Sequence, residues 1–312
     1  MSKIASLLIL LVAVLVCWLP VAPAQAQAAR TFVSAAGSDS NNCTNVATPC
    51  RHFAAAYAKT VADGEIDVLD PANYGALTIS QGISIQGHGW ASVSGVPGGA
   101  SITINGGDKI NISGVILDGG GVFPTTGIYA DSVSSLNIRD SVIRNFTQAG
   151  INYGANSSNP SQLYVSNTLV SDNGADGIAI GSGRSGTTNC VLDHVQLENN
   201  ALRGLELGAG GTLNVTVTDS VLASNKAPAI YAIADTGTTL SVMVRNSTIA
   251  NNFAGFDAEN AGVTISVTRS TITGNSFGWF AFTGGAVLSY GDNNIDGNTN
   301  FNTEPPNPLT YK

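Results

Sequence analysis

Charged residues are scarce in this sequence, and basic residues are the scarcer kind. Only 11% of the residues are charged, with 13 basic against 21 acidic side chains. Proteins bind nucleic acids and anionic membranes largely through Lys and Arg that neutralise phosphate, so neither partner is expected. Glycine is abundant, but 43% of the residues are hydrophobic, which is enough to build a core.

The sequence also lacks a hydrophobic run long enough to cross a bilayer comfortably. The longest run, at residues 7–19, follows a single Lys and precedes a series of small residues. This order is typical of a secretory signal peptide at residues 1–26, with cleavage after Ala24 or Ala26. We therefore expect a secreted protein, extracellular or periplasmic, whose mature chain has no membrane anchor.

Cysteine and histidine are rare, with 4 and 3 residues respectively. Cys43 and Cys50 are close together in a polar loop, and in an oxidising compartment this spacing favours a disulfide. The scarcity of histidine argues against a metal pair at these cysteines, and we expect neither a metal nor a cofactor. Cys190 lies in a strand-like segment, where we expect it to pack as a small hydrophobic residue.

Helical periodicity is almost absent after residue 64. Before it, Phe53, Tyr57 and Val61 recur every four residues between Pro49 and Gly64. This spacing predicts one amphipathic helix with a narrow apolar stripe. We expect this helix to cover the open first coil of a repeat domain.

A repeat of 23 to 28 residues takes the place of helices and recurs seven times over residues 127–298. Each copy has a short apolar strand that opens at Gly or Ala, a small polar turn, a β-branched strand and a closing Asn. The closing residues are Asn145, Asn173, Asn199 or Asn200, Asn225, Asn252, Asn275 and Asn298. Such self-similarity is typical of a solenoid, in which each unit buries its apolar face against its neighbours.

Alternation of apolar and polar residues within the strands indicates β-structure. Short strands and tight turns that stack at the strand spacing form a parallel β-helix, and closing amides that stack can hydrogen-bond from coil to coil. We therefore predict an all-β parallel β-helix with an N-terminal α-helical cap. Its parts are a signal peptide at 1–26, a disulfide loop and capping helix at 27–64, the β-helix at 65–300 and a polar Pro-rich tail at 301–312.

The chain resembles bacterial exported proteins with right-handed parallel β-helix repeats, in the pectin-lyase-like superfamily. The resemblance covers roughly residues 30 to 300, and it is carried by the export signal, RTFVSAAGSDSNNC, TPCRHFAAAYAKT, GEIDVLDPANYGALTIS, ISGVILDGGG, the Asn-closed coils and VLSYGDNNIDGNT. It implies a right-handed β-helix. It does not imply one activity, because the superfamily includes polysaccharide lyases, hydrolases, epimerases, esterases and proteins without assigned chemistry.

The catalytic motifs that this resemblance implies are incomplete here. Polygalacturonases of this fold carry a Gly-His-Gly, present at residues 87–89, but the Asn-Thr-Asp, Asp-Asp and Arg-Ile-Lys motifs that accompany it are missing, so we expect a turn. Pectate lyases use a calcium cluster of carboxylates and an Arg. No carboxylate trio recurs at one position of the repeat, and Arg203 stands three residues before Glu206, where we expect an ion pair.

Stacking the first strands of the seven copies predicts an outward-facing surface. The residue two positions after the Gly or Ala that opens each copy belongs to what we call the outer column: Tyr129, Asn152, Ala179, Glu206, Tyr231, Asp257 and Phe280. The next outward position holds Gly in the middle coils and Glu259 further along. A mixture of aromatic, acidic and small residues is typical of a saccharide groove.

Two functions are compatible with this surface. In the first, a non-catalytic exported protein binds polysaccharide or a cell-surface glycan through Tyr129, Asn152, Tyr231 and Phe280. In the second, a polysaccharide hydrolase or lyase uses Glu206, Asp257 and Glu259. Two strand spacings separate Glu206 from Asp257, roughly 9–10 Å, which is comparable with the carboxyl separation of inverting glycosidases. The missing motifs favour the binding function.

Overall fold

The computed structural model describes residues 27–95, 97–122, 125–154, 160–181, 186–305 and 309–310. The predicted signal peptide at 1–26 lies outside these residues. Within them, no helix is both long enough and apolar enough to cross a bilayer.

The described residues form short parallel strands and one short helix. The helix, α1, spans Phe53–Tyr57. The strands are β1 (Ala28–Val33), β2 (Thr60–Val68), β3 (Ala72–Asn73), β4 (Leu77–Ile79), β5 (Ile83–Ser94), β6 (Ala100–Ile104), β7 (Lys109–Asp118), β8 (Thr126–Ala130), β9 (Ser135–Arg139), β10 (Val142–Arg144), β11 (Ile151–Tyr153), β12 (Ser161–Ser166), β13 (Leu169–Ser171), β14 (Ile178–Ile180), β15 (Thr187–Asp193), β16 (Gln196–Glu198), β17 (Leu205–Ala209), β18 (Thr212–Thr218), β19 (Val221–Ala223), β20 (Pro228–Ala234), β21 (Thr239–Arg245), β22 (Thr248–Ala250), β23 (Ala254–Glu259), β24 (Val263–Thr268), β25 (Thr271–Thr273), β26 (Phe277–Phe282), β27 (Ala286–Ser289) and β28 (Asn294–Asp296).

Each regular coil contributes one strand to each of three faces that run along the solenoid. Face 1 contains β1, β2, β5, β7, β9, β12, β15, β18, β21, β24 and β27. Face 2 contains β3, the second halves of β5 and β7, β10, β13, β16, β19, β22, β25 and β28. Face 3 contains β4, β6, β8, β11, β14, β17, β20, β23 and β26. The parallel pairing confirms the predicted all-β solenoid.

The core lies inside the coil and is filled by the inward-facing residues of every strand. On face 3, Leu205, Ile230 and Phe256 pair in successive strands and are almost fully buried. Because successive side chains of a strand point to opposite sides, the residues next to them point outward. Cys190 lies in β15 and is 2% exposed, so it packs in the core as predicted.

The closing Asn side chains form a buried ladder. The Nδ2 of each donates to the Oδ1 of the next, as at Asn225–Asn252 (2.9 Å) and Asn252–Asn275 (3.1 Å), and the backbone N–H donates to the same oxygen. The prediction holds for six residues: Asn173, Asn200, Asn225, Asn252, Asn275 and Asn298. Between the two alternatives in the third coil, Asn200 is the ladder member.

The ladder prediction was wrong for Asn145. Phe146 occupies the ladder position of that coil, and its backbone N–H donates to Asn173 Oδ1 at 3.2 Å. Asn145 has a positive φ of 58° and donates to Asp118 at the surface. Asn is favoured in a left-handed turn as well as in the ladder, so an Asn at the end of a repeat copy does not by itself indicate which of the two it forms.

A second ladder, made of hydroxyl groups, connects the turns between face 1 and face 2. The backbone N–H of Ser220 donates to Ser247 Oγ, and that of Ser247 donates to Ser270 Oγ, both at 3.2 Å. Each hydroxyl in turn donates to the carbonyl two residues before it. Buried turn amides are thereby satisfied, although Val195 interrupts the series.

The N-terminal region contains the predicted disulfide, but its helix is shorter than predicted. Cys43 and Cys50 are bonded, with their Cα atoms 5.0 Å apart. Val61 is not helical: it lies in β2, where Thr60 pairs with β1, and β-branched residues fit a strand better than a helix. Within α1, Phe53 is buried and its ring lies 5.2 Å from that of Tyr74.

The C-terminal tail lies against the last strand of face 3. Phe301 packs on Trp279, with ring centroids 5.4 Å apart, and Trp279 Nε1 donates to the carbonyl of Thr303 at 3.1 Å. The backbone N–H of Gly278 donates to the Asn300 carbonyl. The described part of the tail therefore continues the hydrogen bonding of the sheet.

The Asn ladder leads to a stability prediction. Replacing Asn252, which is 3% exposed, with Ala leaves buried backbone and amide groups without partners. We therefore expect the free energy of unfolding to fall by about 3 kcal/mol. The control is Asn214→Ala, because Asn214 is an exposed strand residue that also bonds to an Asn of the preceding coil; we expect a loss within about 0.5 kcal/mol. Urea denaturation measures both. Equal losses would contradict the role of burial.

Candidate functional site

Face 3 carries the outer column, and the structure confirms its register. The seven members pair in order through neighbouring parallel strands: Tyr129, Asn152, Ala179, Glu206, Tyr231, Asp257 and Phe280. At a strand spacing of about 4.8 Å the column is about 29 Å long. Residues that are 151 positions apart in the chain thus lie on one continuous surface.

The middle of the face is built around one arginine. Arg203 precedes β17, and its guanidinium lies 3.3 Å from Glu206 Oε1, as predicted, and 3.6 Å from Asp176 Oδ1. Its Cζ also lies over the ring of Tyr231, 4.4 Å from the centroid. The Tyr231 hydroxyl donates to Glu259 Oε2 at 3.2 Å. We call these residues, together with Asp257, the Arg203 cluster: Asp176, Arg203, Glu206, Tyr231, Asp257 and Glu259.

Asp176 is the member of this cluster that the sequence analysis missed. It is 5% exposed, and its Oδ1 also accepts a hydrogen bond of 3.0 Å from the backbone N–H of Arg203. Asp176 immediately precedes the Gly that opens its copy of the repeat, and Arg203 occupies the same position in the next copy. Comparing equivalent positions 27 residues apart, instead of only the strand residues, would have placed the two side chains together.

Burial alters the ionisation of the cluster. It raises the pKa of Glu206, as does the neighbouring Asp176, while the charge of Arg203 lowers it. Burial and the negative charge of Glu259 raise the pKa of Asp257 to about 6, against the opposing effect of Arg203. Burial and Glu259 likewise raise the pKa of Tyr231 to about 12. Perturbed groups of this kind, gathered on one surface, are typical of functional sites.

Asp257 also has an unsatisfied oxygen. Its Oδ1 is buried and has no hydrogen-bond partner among the described residues. A buried acceptor without a donor is costly, and it is compensated where a ligand supplies the donor.

Aromatic residues occupy the C-terminal end of the column. Phe280 pairs with Asp257, and its ring stacks on that of Phe282 at 5.3 Å. Phe253 and Phe282 are 47% and 48% exposed, so apolar area faces solvent in the coil of Asp257 and in the coil after it. We call this group the phenylalanine cluster: Phe253, Phe277, Phe280, Phe282 and Phe301.

The N-terminal end of the column borders an open cavity. Tyr129 is 37% exposed and lines a cavity of about 440 Å³ together with Thr103, Thr126 and Gln148. Asn152 is half-buried beside it. These two predicted ligand residues therefore lie together, and two strands separate Asn152 from Glu206.

The middle coils are less accessible than the repeat pattern indicated. Ala179 is buried, and Gly208, which holds the next outward position of its coil, is buried as well. Gly154 and Gly181 are partly exposed. The accessible part of the face is thus concentrated at its two ends and at the Arg203 cluster.

The calcium chemistry that a pectate-lyase likeness implies does not fit these residues. In the described part of the chain, one group of three potential ligand residues has its ligand atoms within 4.8 Å of one another, and it consists of Asp193, His194 and Asp219, which lie outside face 3. The carboxylates of the Arg203 cluster do not converge in this way, and two of them face an arginine.

The Gly-His-Gly segment does not contribute to face 3. It bends β5 between faces 1 and 2, with His88 at a positive φ of 56°. His88 Nε2 lies 2.7 Å from Asp67 Oδ1. The expected turn is therefore present as a bend within a strand.

Comparison with known proteins agrees with this architecture. A family model described as the right-handed β-helix region matches residues 68–221, and no curated protein matches the chain. The chain is similar to the solved pectate lyase Pel9A, with a TM-score of 0.63 and 18% identity over 83% of this chain and 74% of that one. At this identity the likeness shows the fold alone.

Two further solved structures share a weaker likeness. One is an alginate lyase from Paenibacillus, with a TM-score of 0.48 and 15% identity over 89% of this chain and 97% of that one. The other is the A-module of the mannuronan C-5 epimerase AlgE4 from Azotobacter vinelandii, with a TM-score of 0.48 and 13% identity over 80% of this chain and 91% of that one.

The raised pKa of Asp257 gives a pH-dependent prediction. Its pKa rises from the ordinary value of 3.8 to about 6 in the folded protein, so the folded state binds the proton more tightly and its ionisation destabilises the fold as pH rises through this window. We expect Asp257→Asn to stabilise the protein at about pH 7.5 but to change little at about pH 4. Urea unfolding at both pH values measures the difference.

Asp108→Asn is the matched control for this measurement, because Asp108 is exposed and lies outside face 3. Its effect is expected to be small at both pH values. An Asp257→Asn variant with the same stability change at both pH values would rule out the raised pKa.

Proposed function

We propose that this chain, a right-handed parallel β-helix protein with the pectin-lyase-like fold, binds polysaccharide or a cell-surface glycan along face 3. The observation that supports this most directly is the register of the outer column, which joins an exposed tyrosine, a charged centre and an aromatic end on one surface. We further propose that the protein is exported, since the Cys43–Cys50 disulfide is typical of oxidising compartments.

The chemistry of the face suits a sugar chain. Pyranose rings have apolar faces that pack on aromatic side chains, and hydroxyl edges that exchange hydrogen bonds with carboxylates and amides. Tyr129 and Asn152 serve one end, Tyr231 with the Arg203 cluster the centre, and Phe280 with its neighbours the other end. A surface of about 29 Å accommodates several sugar units along the axis of the solenoid.

A second candidate function, cleavage of the bound chain, is favoured by the pKa values of Asp257 and Glu206. Near neutral pH a fraction of Asp257 is protonated and can donate its proton to a glycosidic oxygen, while the ionised form of Glu206, beside Arg203, takes a proton from an attacking water. Glu259 contributes the charge that keeps Asp257 protonated. Asp257 and Glu206 are two strands apart, about 9.6 Å, near the upper end of the separation in inverting glycosidases.

The binding function predicts a specific loss of affinity. In glycan arrays and in titrations with a bound oligosaccharide, we expect Tyr231→Ala to weaken binding about tenfold, because the loss of one stacked aromatic contact is worth about 1.4 kcal/mol. Tyr164→Ala is the matched control, since Tyr164 is a half-buried tyrosine in β12 on face 1. Absence of binding to every glycan, or equal losses in both variants, would overturn the proposal.

The cleavage function predicts a product. Incubation of the purified protein with neutral and acidic polysaccharides would release new reducing or unsaturated ends, and Asp257→Asn would lower this release at least about a hundredfold. Asp108→Asn is expected to retain the activity. If wild-type protein releases no ends from substrates that it binds, the catalytic candidate is excluded and the binding function stands.

A further inference from the structure

The charge of the Arg203 cluster is unbalanced. The cluster contains four carboxylates but a single guanidinium, and that guanidinium already contacts Glu206, Asp176 and the ring of Tyr231. Little of its positive charge remains for a ligand. An anionic sugar would therefore approach carboxylates of the same sign.

Asp257 Oδ1 adds a requirement for hydrogen bonding. This oxygen is buried and accepts no hydrogen bond among the described residues, so a complementary ligand must bring a donor. The carboxylate of a uronate sugar offers acceptors only, whereas an ammonium group offers three donors and no acceptor. The orphan oxygen and the excess negative charge thus favour the same ligand chemistry.

We propose that face 3 selects a polymer of amino sugars, with an ammonium group bound between Asp257 and the neighbouring carboxylates of the Arg203 cluster and an adjacent ring stacked on the phenylalanine cluster. The inference rests on the proposed function and specifies its ligand class. It differs from the polyuronates that the names of the similar lyases and epimerase would indicate.

The position of the aromatic residues supports this assignment. Phe280 pairs with Asp257 and Phe282 pairs with Glu259 in the next strand, so each carboxylate has an aromatic neighbour about 4.8 Å further along the axis. An amino sugar has an ammonium group on one edge of a ring with an apolar face. One such unit and its neighbour in the chain can therefore meet a carboxylate and a phenylalanine at the same time.

The test compares three oligosaccharides of equal length: oligomers of glucosamine, N-acetylglucosamine and galacturonate. Titrations are made at about pH 7, above the pKa of Asp257 and below the ordinary pKa of an amino group, and in EDTA, which prevents calcium from bridging carboxylates. We expect the glucosamine oligomer to bind at least about tenfold more tightly than the galacturonate oligomer, and this preference to shrink as NaCl is raised.

Variants locate the effect. Glu259→Gln removes one charge but keeps an oxygen that can accept the Tyr231 hydrogen bond, and we expect it to lower the preference for glucosamine about threefold or more. Asp108→Asn removes an equal charge outside face 3 and is expected to leave the preference unchanged. A preference unaffected by Glu259→Gln would overturn the assignment to this cluster.

The outcomes separate the two proposals. Binding of galacturonate or of N-acetylglucosamine as tight as that of glucosamine would overturn the selection of amino sugars and leave polysaccharide binding intact. Absence of binding by all three oligomers, together with empty glycan arrays, would remove the proposed function and this inference with it.

Discussion

Parallel pairing between coils is the interaction on which the rest of the structure depends. Each strand satisfies its backbone groups only through the coil before and the coil after it, so no coil is stable alone. Where the chain turns and the backbone ladder stops, the Asn side chains and the Ser hydroxyls continue the hydrogen bonding from coil to coil. These two ladders keep the turns of successive coils in register. The residues of the outer column are therefore also in register from strand to strand.

The candidate site is a product of this register. Asp176, Arg203, Tyr231 and Glu259 come from four different coils, and none is close to the others in sequence except through the period of the repeat. Stacking places several acids beside one cation, at a depth where burial shifts their pKa values. A solenoid can thus assemble a charged cluster without a cleft when the outward positions of neighbouring coils carry residues that interact with one another.

The fold could be predicted from the sequence because its determinants repeat. The period, the alternation within strands and the closing Asn each recur often enough to outweigh single exceptions, and the disulfide follows from two nearby cysteines. Prediction was weaker where the local sequence is compatible with two backbone conformations. Asn145 and Asn199 adopt turn conformations that ladder residues do not, and Val61 joins a strand because pairing with β1 outweighs its place in a helical pattern.

The site was predicted in part for the same reason. The strand period placed Glu206, Tyr231 and Asp257 in one column and set Glu259 beside them, but it did not include Asp176, which belongs to the turn before its strand. Nor did the pattern reveal which outward residues are covered: Ala179 and Gly208 are buried although their positions alternate correctly.

The contact between the tail and β26 has a consequence for the solubility of the whole molecule. A solenoid ends in strands whose N–H and C=O groups are ready to pair with another copy, and an uncovered terminal strand promotes end-to-end aggregation. Here the final strand of face 3 is covered by the chain that follows it: Asn300 pairs with this strand, and Phe301 and Thr303 contact Trp279. A few residues without a repeat pattern therefore cover part of the edge that the last coil would otherwise expose.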